Sequence, residues 1–248
     1  MGFQRDTSLW RGVWGRAAPA YLAFPSLEYR LNAYQFHIGH ILNLVFQQRA
    51  GQAQVCRVAL LQRVLDAHHA NKNMTIYCQP EWSGTPAREF DQLRGNFAME
   101  IWNTGCALEN GLDTNAYGWD EVLMTGQRIF GVAVDDCHHL PHCCKGWVRV
   151  NAEKDLNAIL AALRQGAFYS SCGPEIYDFR VEAGKAVVEC SPSESIAFRW
   201  GHLPTRVVRG DVPITRAEFD VPPYLTYLRA VVTDEAGRRA WTNPIFLK

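Results

Sequence analysis

The feature that most constrains this chain is a recurring pattern in which a short apolar run ends on a polar residue. "YLAFPSLE" closes on Glu28, and "HILNLVF" follows His40. "MTIYCQPEW" ends around Gln79 and Glu81, "FAMEIWN" on Asn103, "RIFGVAVDD" on Asp135 and Asp136, and "AFYSSCG" near Cys172. Runs of this length, rich in Val, Ile, Phe and Tyr, suit strands buried on both faces. Helical stretches lie between several of them. Residues 54–70 place Val55, Val58, Leu61 and Leu65 on one face. Thr85-Pro86 reads as a cap and a first-turn proline leading into "AREFDQL", with a stop at Gly95. "LNAILAALRQG" ends on Gly166, which can take the left-handed C-terminal cap. Strand alternating with helix over residues 1–174 predicts an α/β domain, either a parallel sheet or a β/α barrel. In a barrel the polar residues at the carboxyl ends of strands form the site.

After Gly173-Pro174 the pattern changes. "IYDFRVEAG", "AVVECSP", "SIAFRWG", "RAEFDVP" and "TYLRAVVTDEAG" are short, often alternating runs with turn residues between them. Residues 175–248 are therefore expected to form a small antiparallel β-sandwich domain. The first part supplies roughly six strands where a complete barrel has about eight. The expected barrel is accordingly distorted and incomplete, with no clear opening strand near its start.

Charge narrows the partners. Lys+Arg and Asp+Glu balance at 25 each, so no basic field exists to attract nucleic acid or an anionic membrane. No apolar run approaches the ~20 residues of a membrane-spanning helix. The opening stretch is broken by Arg16 and Pro19 and makes a poor signal peptide. Eight cysteines are scattered through 248 residues, in a chain large enough to fold without staples. Reduced thiols in a cytoplasmic protein are the expectation.

The densest chemistry is "DDCHHLPHCC", residues 135–144. Asp136 and His138 form an Asp-x-His pair just after a buried strand, and positions i and i+2 of extended chain project to one side. A carboxylate and an imidazole so placed can share a divalent metal such as zinc, manganese or iron. Glu28 and His40 stand at other strand ends and are candidates to complete that site, with His37 competing with His40. A zinc knot from Cys137, His138, Cys143 and Cys144 lacks a second spaced pair of ligands, and a disulfide in so short a loop conflicts with the compartment reading. The cysteines are read as incidental thiols. His68 and His69 fall on a helix, away from strand ends, and "SSCGP" with Ser170 and Ser171 is read as a structural turn.

Taken together, "FPSLEY", "HILNL", "QPEWSG", "MEIWNTG", "GWDEVLMTGQRIFGVAVDDCHH", "KGWVRVNA" and "ILAALRQGAFYSSCGPEI" resemble the PHP (polymerase and histidinol phosphatase) superfamily of metal-dependent phosphoesterases. The likeness is to the branch with a C-terminal β domain. The resemblance implies a distorted β/α barrel, a divalent metal cofactor, and a small phosphoester or related substrate. It implies Glu28, His40, Asp136 and His138 as metal ligands. The family's opening His-x-His and Thr-Asp-His elements are absent, and its usual His-Pro is Gln79-Pro80 here. Two readings follow: a metallohydrolase of weak or no activity as this chain, its missing ligands supplied elsewhere, or a non-catalytic ligand-binding or interaction module. An incomplete barrel would bare a sheet edge, so a homo-oligomer is expected unless residues 54–70 and the N-terminal segment cover it.

Overall fold

A computed structural model describes residues 53–112, 114, 116–203 and 205–248. The described chain begins with helix α1 (Ala53–Ala70), which buries Leu65. A three-stranded parallel sheet follows, in the order β1 (Ile76–Tyr77), β2 (Ala98–Asn103), β3 (Phe130–Val134). Its crossovers contain short helices: α2 (Ala87–Phe90) between β1 and β2, then α3 (Thr104–Asn110) and α4 (Tyr117–Met124) between β2 and β3. The Thr85-Pro86 helix is only α2, and Pro86 stands at its N-cap without a side-chain cap.

The remaining strands make one antiparallel sheet. β4 (Trp147–Val150), β5 (Phe168–Ser171), β10 (Arg239–Thr242), β9 (Tyr227–Thr233), β7 (Lys185–Arg199) and β6 (Ile176–Glu182) pair in that order. Off this path β8 (Thr205–Asp220) pairs with β7, and β11 (Ile245–Phe246) pairs with β9. Helix α5 (Leu156–Gln165) links β4 to β5. Its limits are set locally: Asp155 accepts the Ala158 N–H at the start, and Gly166 takes φ +75° at the end, the left-handed cap that glycine adopts at little cost.

The expected β/α barrel with an appended sandwich is corrected by this arrangement. The protein is mostly β, 39% strand against 23% helix, with a curled antiparallel half-barrel sheet, and does not resemble a β/α barrel. "AFYSS" is indeed a strand buried at every position of β5, but it pairs antiparallel with both β4 and β10. A run buried on both faces shows that it is covered, not which way its neighbour points, so burial alone misassigned the sheet. The antiparallel sheet also crosses the 174/175 boundary, because β4 and β5 belong to it.

Two side chains end the parallel sheet at β3. Ser170 Oγ donates to Gly131 O at 2.8 Å and accepts from Ala133 N at 3.0 Å. Asn243 Oδ1 accepts from Gly131 N at 3.0 Å, while its Nδ2 donates to Gly166 O and Phe168 O. Gly131 N, Gly131 O and Ala133 N on the outward side of β3 are thus satisfied without a further strand, as buried amides require. A shared core joins the sheets: Met99, Ile101 and Trp119 pack in one cluster with Tyr227, Val231 and Trp241. Across it Arg229, only 1% exposed, donates from Nε and Nη2 to Asp120 at 2.8 and 2.6 Å and lies 4.8 Å over the Trp119 ring.

Candidate functional site at the carboxyl edge of the parallel sheet

Parallel strands deliver their carboxyl ends to one edge, where ligands of open α/β sheets bind. Here β1 leads to Gln79, β2 ends on Asn103, and β3 leads to Asp135 and Asp136. Gln79 and Asp136 both take the left-handed conformation, with φ +50° and +45°. For a residue with a Cβ this costs about 1–2 kcal/mol, and such strain collects at sites where the surroundings over-determine it.

The surroundings are a four-residue polar network. Gln79 N donates to Glu100 Oε2 at 2.9 Å, and Gln79 Nε2 donates to Asp136 Oδ2. Asn103 Nδ2 donates to both carboxylates, at 3.1 Å to Glu100 and 3.2 Å to Asp136. Asn103 is also the N-cap of α3, its Oδ1 accepting from Cys106 N at 2.9 Å. That cap fixes the amide's orientation: oxygen toward the helix, N–H groups toward the two acids. Glu100 is 7% exposed. Burial pushes its carboxyl up to about 7, against the opposing N–H donors of Asn103 and Gln79. Glu100 lies inside β2, the central strand, and a buried carboxyl with its pKa raised this way is a candidate acid–base or ligand-binding group.

Asp135 points the other way and closes the following loop. Its carboxylate accepts from Cys144 N at 2.6 Å, Lys145 N at 2.9 Å and Gly146 N at 2.8 Å. Inside the loop a 3-10 turn, Leu140–His142, brings the Cys137 and Cys143 sulfurs to 2.8 Å. The hydrogen bond between them pushes the Cys137 thiol up to about 11.

Asp136 and His138 do come together, with Asp136 Oδ1 3.6 Å from His138 Nδ1. His138 is the open partner, 48% exposed against 12% for Asp136. Glu28, His40 and the rival His37 lie outside the described residues. Among the described residues no group of three or more His, Cys, Asp or Glu side chains could hold a metal ion. The expectation of a metal-binding group is corrected to that extent. Asp136 Oδ2 is already engaged by two amide N–H groups, and Asn103 cannot turn an oxygen toward it without losing its cap. The described residues therefore do not by themselves fit a divalent metal. Elsewhere His69 Nε2 meets Thr75 Oγ1 at 2.9 Å, and Ser171, the last residue of β5 rather than part of a turn, hydrogen-bonds through its Oγ to Pro174 O and Gly173 N.

Beside Glu100 opens a cleft of about 480 Å³. Phe90, Ile101 and Trp119 supply apolar walls, and Glu81, Glu100 and Glu121 its charged groups. No Lys, Arg or His lines it among the described residues. The sequence reading passed over Glu100, although the signal was there: an acid inside the otherwise apolar run "FAMEIW" is a charge within a buried strand, which is rare unless paired or functional.

No family model matches the chain, nor does any curated protein or solved structure. No helix among the described residues is long and apolar enough to cross a membrane.

Proposed function

We propose that this chain is a binding module for a small organic amine, held in the cleft with its cationic group at Glu100 and its apolar body against Phe90, Ile101 and Trp119. The observation that carries this reading is Glu100 itself: a buried carboxyl at a cleft whose other charged lining groups are also acidic. An ammonium ion at this position offsets the cost of ionising a buried acid. A phosphoester, the substrate class that the resemblance implies, meets only like charge in this cleft.

The direct comparison is calorimetric titration with phenethylammonium and with p-nitrophenyl phosphate. Saturable binding of the amine, weakened at least ~10-fold in Glu100→Gln, is the expected result. Because the amine selects ionised Glu100, its affinity falls as pH drops below about 7, approaching ~10-fold per unit. Binding of the phosphate ester alone, or of neither compound at millimolar concentration, would overturn the reading.

A second reading is metal-dependent hydrolysis, favoured by the 3.6 Å approach of Asp136 to His138. It needs Glu28 and His40 as further ligands. Titration of the full chain with manganese or zinc tests it: uptake that His138→Ala abolishes supports this reading, and metal-independent behaviour of both proteins removes it.

A further inference from the structure

We propose that Cys137 and Cys143 form a dithiol–disulfide site, converted reversibly to an intraloop bridge by low-molecular-weight disulfides such as oxidised glutathione. The two sulfurs stand 2.8 Å apart, inside ordinary sulfur–sulfur contact and less than an ångström from a bond of ~2.05 Å. The loop that carries them is already closed. Asp135, two residues before Cys137, takes the N–H groups of Cys144, Lys145 and Gly146, directly after Cys143. Most of the chain entropy that ring closure would cost is therefore lost on folding, before any oxidation. Reagent can enter, because Cys137 is exposed and Cys143 half-buried. The buried Cys106, Cys172 and Cys190 offer no such access.

The chemistry balances in two exchanges. The thiolate of one cysteine attacks a sulfur of the reagent and expels one glutathione thiolate, leaving a mixed disulfide. The thiolate of the second cysteine attacks the protein sulfur of that mixed disulfide and expels the other glutathione thiolate. Both protein thiols are oxidised, the two protons go to solvent or to the leaving thiolates, and the reagent's disulfide is reduced to two thiols. The bridge spans the backbone between Cys137 and Cys143, so His138 becomes part of a closed ring, and Asp136 lies next to it. The site is independent of the amine-binding reading, since it rests on the loop alone.

The test uses the full-length native chain, equilibrated with oxidised glutathione and then blocked with N-ethylmaleimide after denaturation. Tryptic cleavage after Arg128 and Lys145 releases one peptide that holds Cys137, Cys143 and Cys144. The expected peptide carries a single maleimide, on Cys144, and has lost two hydrogens. Dithiothreitol restores three maleimides. Cys144→Ser retains the bridge, whereas Cys137→Ser and Cys143→Ser lose it. Mapping of the unmutated chain decides the matter even if a variant fails to fold. Three labelled thiols, a persistent glutathione adduct on Cys137 or Cys143, or a bridge through Cys144 would each overturn the proposal.

Discussion

Glu100 is where a single residue does most to set the chemistry of this molecule. Its carboxyl keeps a proton up to about 7 in the folded chain, against 4.5 when exposed. A folded-state value above the unfolded one means that the folded state binds the extra proton between those limits. The associated stability is full below about 4.5 and is lost as pH rises through about 7, a change on the order of 3 kcal/mol. Glu100→Gln keeps an acceptor for the Gln79 and Asn103 N–H groups but cannot ionise. Denaturant unfolding between pH 4.5 and 8 should therefore show a falling stability for the unmutated chain and a flatter profile for the variant. An unchanged slope would show that Glu100 ionises at little cost. At this scale the sequence was half legible. Asp136, Gln79 and Asn103 stood out because they closed apolar runs, and His138 by its Asp-x-His spacing. The Cys137–Cys143 approach did not, because it depends on how Asp135 folds a loop whose turns are not periodic.

Among the elements, the C-terminal end of α5 was readable and the pairing of β5 was not. A helix cap is decided by residues within a turn of it, and Gly166 is such a residue. One partner of "FYSS", Arg239–Thr242, lies about seventy positions along, the other, Trp147–Val150, precedes it, and nothing within the run specifies either direction. The "SSCGP" segment, read as a turn, proves to be the place where β5 fastens β3. Ser170→Ala removes both hydrogen bonds of the hydroxyl and leaves the buried Ala133 N–H without its acceptor. A loss of about 1–3 kcal/mol is expected, measurable by urea unfolding. Fast hydrogen exchange at Ala133 in the variant would place that loss at the β3 edge. A loss below ~0.5 kcal/mol with exchange unchanged would mean that another group replaces the hydroxyl.

For the molecule as a whole, the boundary at 174/175 looked natural because helices stop there and alternating strands begin. The composition shift is real, but the fold uses it differently. β4 and β5 stand before the boundary and complete the antiparallel sheet after it, and Asp120 of α4 grips Arg229 of β9 across the shared core. Tyr227 also donates to Asp120, and burial beside that carboxylate pushes the phenol strongly upward. Asp120→Ala leaves a buried guanidinium without its counter-charge, a loss of about 3–5 kcal/mol. If the sheets fold as one unit, tryptophan fluorescence and far-ultraviolet circular dichroism will report one coincident transition in both proteins, shifted to lower denaturant in the variant. Two separated transitions in the unmutated chain would contradict that coupling.

The side chains that close β3 also give the parallel sheet a direction of growth. Ser170 and Asn243 occupy the backbone groups that an incoming strand would need, so extension past β3 would require both to be displaced. Among the described residues β1 has no partner beyond β2, which leaves its outer side as the available seam. Within the parallel sheet, and among the described residues, addition of an extended strand is thereby directed to the outer side of β1, beside Gln79.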